Sequence, residues 1–180
     1  FFNGSVPLSI SLIGGTDGTA PSSADTVRGY DEFKSAEDID VSLLTTSDHG
    51  STVVRHAINQ IAETRKDCVV FFSPEKADVV GVTNSSTQTN NVTDYRDTVN
   101  MNTSYAVMDS GWKYQFDKHN DKFRFVPLNG DIAGLCARTD QVRDPFFSPA
   151  GFTRGQIKGV VRLPFNPKKA ERDKLYAAGV

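Results

Sequence analysis

Apolar and polar positions alternate through Val6-Pro7-Leu8-Ser9-Ile10-Ser11-Leu12-Ile13, and this period of two predicts a half-buried strand ending at Gly14-Gly15. Residues 14–28 are dense in Gly, Thr, Ser, Asp and Pro and predict a loop, after which Tyr30, Phe33 and Ala36 have the spacing of a short helix. A second strand is predicted over 39–44. Over 51–66 the period changes. Val54, Ala57, Ile58, Ile61 and Ala62 fall on one helical face, Arg55, Asn59, Glu63 and Lys66 on the other, and Asp48 or Ser51 is placed to cap the first turn. Cys68-Val69-Val70-Phe71-Phe72 is a continuous apolar run, closed by Ser73-Pro74, as expected of a strand covered on both faces. Strand, helix, strand in that order predicts a βαβ unit and a parallel sheet.

Beyond the polar tract of 83–104, which the pattern leaves open between a long loop and a helix, the period of two returns. Residues 105–108, 112–117 and 122–127 predict strands. The last two, joined by Lys118-His119-Asn120-Asp121, predict an antiparallel hairpin at the sheet's edge. Asn129 or Asp131 starts a helix through Ile132, Leu135 and Cys136. Pro167 opens a final helix reaching Tyr176, with Gly179 placed for a left-handed C-cap. The expected class is α/β: one domain over 1–180 with a mixed, partly parallel sheet flanked by helices and an antiparallel edge hairpin.

Composition narrows this little. With 38% hydrophobic and 23% charged residues the 180-residue chain has the make-up of an ordinary globular domain. No apolar run approaches the roughly 20 residues that span a bilayer. Cys68 and Cys136 lie in apolar stretches and are expected to be buried reduced thiols. The first residues, Phe1-Phe2-Asn3-Gly4-Ser5, lack an initiator Met, and the sequence is expected to be an internal piece of a longer chain, truncated at both ends.

The net charge of −2 argues against nucleic acid as a partner, yet its distribution is uneven. Between residues 154 and 174 lie Arg154, Lys158, Arg162, Lys168, Lys169, Arg172 and Lys174, against only Glu171 and Asp173. Ends of opposite sign suit head-to-tail association.

Candidate chemistry is thin. Asp48-His49-Gly50-Ser51 at a helix start resembles the histidine motif of subtilisin-type proteases, and Asp17-Gly18 could supply an aspartate. The glycine-rich nucleophile motif is missing: Asn84-Ser85-Ser86 and Phe147-Ser148-Pro149 lack its context, and a triad needs all three roles in hydrogen-bond reach. His49, His56, His119 and the cysteines show no short-spaced ligand pairs, so no metal is expected. Gly14-Gly15-Thr16-Asp17-Gly18 lacks both the P-loop ending and the dinucleotide spacing, so no cofactor is expected.

The run Pro145-Phe146-Phe147-Ser148-Pro149-Ala150-Gly151-Phe152-Thr153-Arg154-Gly155-Gln156-Ile157, followed by Leu163, Asn166-Pro167 and Lys174-Leu175-Tyr176, closely resembles the tail sheath proteins of contractile-tailed bacteriophages. Gly14-Gly15-Thr16-Asp17-Gly18 before Gly29-Tyr30-Asp31-Glu32-Phe33, and the start of strand and helix from Asp40 to Ser51, agree with it. The resemblance implies a subtilisin-like sheath domain without a working triad, in which the serine-proline-alanine-glycine loop leads into a strand. It implies a structural subunit, not an enzyme, that assembles in the bacterial host cytoplasm into the virion tail. There it would form stacked hexameric rings around a tail tube and contract when the baseplate triggers, delivering the genome. Upstream insertion domains and a strand-exchanging C-terminal domain would lie outside 1–180, so this piece alone is expected to be a monomer. Lys168, Lys169, Arg172 and Lys174 are expected to form part of a contact with a neighbour or an absent domain. The alternatives are a sheath subunit of a related contractile injection system and an active subtilisin-like serine hydrolase.

Overall fold

The computed structural model describes residue 11 and residues 13–180; the strand expected over 6–13 lies almost wholly outside them. Helix α1, Ser23–Asp31, begins inside the expected loop. Its start is closed by a capping box: the Ser22 hydroxyl accepts from the Asp25 N–H at 3.2 Å and the Asp25 carboxylate from the Ser22 N–H at 3.1 Å. It ends at Asp31, so Phe33 and Ala36 lie beyond the helix that their spacing predicted.

Strand β1, Leu43–Thr45, is shorter than the run expected over 39–44. It pairs with β2, Val69–Phe72, which pairs in turn with β3, Ala106–Met108. Both ladders are parallel, with Leu43 opposite Val69 and Val70 opposite Ala106. The predicted βαβ unit is therefore present, its crossover a single helix over 51–65. That helix runs α-helically through α2, Ser51–His56, with π winding through Ala57–Ala62, and closes with α3, Glu63–Arg65, where Lys66 takes a left-handed φ of 61°.

All five predicted apolar residues of this helix are fully buried. The predicted cap is not there. Gly50, extended at φ −70°, is the N-cap and makes no side-chain bond to the first turn. A Cβ on Gly50 would stand 3.2 Å from Glu75 Oε1, so it is the Glu75 carboxylate that lies beside the helix start, where the helix dipole favours an anion.

After the short helix α4, Lys76–Val79, the tract left open by its pattern folds as α5, Ser85–Val99. Asn84 caps α5, its side-chain oxygen accepting from the Ser86 and Thr87 N–H groups at 2.9 and 3.1 Å. The buried stripe is Gln88, Thr89, Val92, Tyr95 and Val99, helical in spacing but partly polar in composition. Gln88 Nε2 donates to the carbonyls of Val79 at 2.7 Å and Pro164 at 3.0 Å, joining two segments distant in sequence. Replacing Gln88 by Ala leaves both carbonyls without this donor, and urea denaturation should show a loss of about 1–3 kcal/mol.

Strands β4, Trp112–Asp117, and β5, Lys122–Pro127, form the predicted hairpin, paired from Trp112 opposite Pro127 to Asp117 opposite Lys122. It is a separate two-stranded sheet and not the edge of the parallel one. The chain breaks away from β3 at Asp109-Ser110-Gly111, where Asp109 Oδ1 accepts from the Gly111 N–H two residues on. Against β4 lies a single bridge from Arg162: the Tyr114 N–H donates to the Arg162 carbonyl and the Val161 N–H to that of Tyr114, each at 2.8 Å. The strand implied after residues 148–151 is reduced to that bridge, preceded by the short helix α7, Gly151–Arg154. Helix α6, Asn129–Val142, starts as expected. Helix α8, Lys169–Ala178, ends on Gly179 at φ 82°, the left-handed cap predicted for it.

The core places α2, the π turn and α5 against Val70 and Phe72 of β2. Phe71, alternating with them, is also buried, and α6 packs over β1 and β2 with Ala133 and Leu135 inside. Both faces of the central strand are covered, as its unbroken apolar run required.

Candidate functional site

Parallel strands deliver their carboxyl ends to one side of a sheet, where α/β proteins usually place their chemistry. Here the residues following β1, β2 and β3 converge in a buried polar junction. Ser73 Oγ donates to Asp109 Oδ2 at 2.7 Å and accepts from the Asn129 N–H at 3.1 Å. Asn129 Nδ2 donates to the Ser47 carbonyl at 2.6 Å, and Trp112 Nε1 to that of Pro74 at 2.8 Å. Burial pushes the Asp109 carboxyl up to about 7. Hydrogen bonds from Ser73 and Gly111 oppose that shift, and the nearby Asp131 charge adds to it. Asp131 is itself paired with Lys113 Nζ at 2.8 Å. Each donor and acceptor is turned toward backbone or a neighbour, so the junction clamps three strand exits, α6 and the hairpin together. Sequence reasoning did not single out Ser73, Asp109 or Asn129. The available signal was a polar residue directly after each apolar strand.

The protease-like motif does not assemble. Asp17 is exposed outside any regular element, Asp48 is exposed, and the His49 N–H donates to the Thr46 carbonyl while its ring borders a groove beside β1. Ser85 begins α5, and Ser148 uses its carbonyl to accept from Arg154 Nε at 3.0 Å. The histidine that meets a carboxylate is His56, whose Nε2 lies 2.5 Å from Asp31 Oδ1. Hydrogen bonds from Lys34 and then His56 hold the Asp31 carboxyl below its usual range, which makes this a tie between α1 and α2. Among the described residues no serine joins either histidine by a hydrogen bond, and no three metal-ligating side chains cluster. Cys68 is buried and Cys136 half-buried, and burial raises both thiols away from the reactive thiolate.

The basic residues predicted for a contact are all exposed at α8. They do not form one patch. Lys169 and Arg172, three residues apart, share a face, and Arg172 borders a groove with Met108, Leu175 and Tyr176. Lys174 points to α5, its Nζ donating to Asn90 Oδ1 at 2.5 Å. At Lys168 it is the backbone N–H that is engaged, donating to Glu171 at 2.6 Å. Larger apolar exposure lies at Phe146 and Phe152, which are 82% and 94% exposed, and on α8 itself at Tyr176, which is 85% exposed.

In this small α/β body the polar groups of the junction bond to its own backbone and side chains, and aromatic and charged side chains stand on the surface. Its family can be stated. The model of the phage tail sheath protein central domain matches residues 30–180, and the chain belongs to the phage tail sheath protein family. It is 48% identical over 142 residues to a tail sheath protein of Vibrio phage KVP40, a match covering 72% of this chain and 21% of that protein. To the tail sheath protein of Enterobacteria phage T4 it is 37% identical over 195 residues, 99% of this chain and 29% of the relative. The tail sheath protein of Salmonella phage ViI is 34% identical over 124 residues, 69% of this chain and 19% of the relative. The chain thus spans less than a third of the length of these relatives. Among the described residues no helix is long and apolar enough to cross a membrane.

Proposed function

We propose that residues 1–180 are one α/β domain of a sheath subunit. In the virion tail the whole subunit stacks in hexameric rings around a tube, answers a trigger from the baseplate and contracts to drive genome delivery. The single observation that carries this reading is the sheath-family match over residues 30–180, in a fold whose polar junction is used internally. A mechanical subunit needs rigid bodies that trade one set of surface contacts for another of lower free energy, so its working groups belong on the outside. The parallel β1–β2–β3 sheet with its helices is what a subtilisin-like ancestry without catalysis would leave.

On this reading Lys168, Lys169 and Arg172 act in a charge-complementary contact with a neighbour or with the rest of the subunit, while Lys174 braces α8 on α5. The Lys168→Glu/Lys169→Glu pair in the full-length subunit should weaken assembly and reduce its dependence on salt, with the thermal midpoint of the monomer unchanged. Normal assembly of that variant would remove these lysines from the contact. Sedimentation velocity tests the wider reading: the full-length subunit should form particles far larger than a monomer, in a concentration-dependent manner, and a single monomeric boundary at every concentration would contradict it.

A further inference from the structure

Residues 144–155 form a small, internally braced knob. The Phe147 N–H donates to the Asp144 carbonyl at 3.0 Å and the Gly155 N–H to that of Gly151 at 2.8 Å. The Arg154 guanidinium lies over the Phe147 ring at 5.6 Å while its Nε holds the Ser148 carbonyl. Phe146 stacks on Phe147 with ring centroids 4.8 Å apart. Gly151 sits at φ +86°, and a Cβ on Gly155 would come within 2.9 Å of the Ala150 Cα and the Gly151 nitrogen. So much local bracing fixes a loop shape, yet that shape leaves Phe146 and Phe152 almost wholly in water. Rigid exposed aromatics cost little entropy to dock and are the residues that dominate association energy.

An apolar recess lies on the same chain. Between α1 and β1 lies a groove of about 650 Å³ floored by Tyr30, Phe33, Val41 and Leu43. Asp25 lies in its lining, and the segment 25–48 that supplies most of that lining carries Asp25, Asp31, Glu32, Glu37, Asp38, Asp40 and Asp48 against only Arg28 and Lys34. The knob is flanked by Arg138, Arg143, Arg154 and Lys158 against Asp140 and Asp144. An apolar floor in an acidic segment meets an aromatic tip in a basic one, so charge favours the pairing.

We propose that Phe146 and Phe152 of one copy dock in the α1–β1 groove of the next. Knob and groove are different surfaces of one chain, so the contact is head-to-tail and links successive copies into a ring or a filament. This rests on the assembly reading above and names its contact.

The test uses the full-length subunit with Phe146→Ser and Phe152→Ser together. Both side chains are exposed, so the monomer should keep its thermal midpoint while the concentration needed for polymerisation rises at least about tenfold. In a second arm, the photoreactive p-benzoylphenylalanine replaces Phe152 in a polymer assembled from isotopically light and heavy subunits. Irradiation should give light–heavy cross-links to residues 25–49. Unchanged polymerisation of the double variant, or cross-links confined to one chain or to other segments, would overturn the proposal while leaving the sheath reading intact. A wild-type subunit that never polymerises would overturn both.

Discussion

Trp112→Ala is expected to lower the unfolding free energy by about 3–5 kcal/mol, the typical cost of emptying a large aromatic site in a core. Trp112 is 3% exposed, opens β4 and donates from Nε1 to the Pro74 carbonyl at 2.8 Å. It is therefore the bolt between the hairpin and the exit of β2. For a domain of this size the loss corresponds to a thermal midpoint lower by roughly 10 °C, which calorimetry or circular dichroism would read. Trp112→Phe keeps most of the apolar contact and loses the indole hydrogen bond, so it should cost markedly less. Equal effects of the two substitutions would show that the hydrogen bond, and not the packing, fixes the hairpin.

Asp109→Asn is expected to stabilise the protein at pH 8 and to remove one component of its pH dependence. Asp109 faces Ser73 Oγ and the Gly111 N–H, with Asp131 nearby and Lys113 paired to Asp131. Burial raises its carboxyl from 3.8 to about 7 in the folded state. Between those values the native protein holds a proton that the unfolded chain has released. Stability from this group is thus full below about pH 4, falls as pH rises through the window and stays low above about 7. Asp25, Asp31, Asp67, Asp117 and Glu171 act in the opposite sense, since hydrogen bonds depress their carboxyls and their contribution is lost as the pH falls toward and below their ordinary range. The clean readout is the difference between wild type and variant, followed by urea denaturation from pH 4 to pH 8. That difference should grow by a few kcal/mol in favour of the asparagine variant. A difference independent of pH would mean that Asp109 is ionised in the native protein.

Legibility follows how far each signal depends on neighbours. The helix over 51–65 and the hairpin 112–127 are readable because a single period runs unbroken through each, and the strand 69–72 because its run is apolar throughout; the five apolar residues selected in the helix are all buried, whereas in the hairpin Phe116 and Phe123 stand 47% and 52% exposed and Lys113 is buried. The helix Ser85–Val99 stays open to sequence reasoning because Gln88 and Thr89 occupy core positions, Gln88 satisfied by the Val79 and Pro164 carbonyls that only the folded chain brings near and Thr89 by the Ser85 carbonyl one turn back. Helix α1 is expected too late in the chain because Tyr30 and Phe33 both meet the core, while only the Ser22–Asp25 capping box sets its start. Asp48 has the look of a cap since the pattern cannot foresee that Glu75, distant in sequence, stands at that helix start. The polar junction of Ser73, Asp109 and Asn129 is marked in the sequence only by a polar residue after each apolar strand, since its partners meet only in the folded chain. The basic cluster at 168–174 is legible as charge, but its division into outward residues and an α5-facing Lys174 requires the helix packing.

On the sheath reading proposed above, this fold is a part of a polymer. Electron microscopy of the full-length parent, purified alone and placed beside residues 1–180, tests it most directly. Regular tubes are expected from the parent, with this fold recurring in every subunit, and dispersed particles from the isolated piece. A parent that stays dispersed at all concentrations and salt conditions would contradict it.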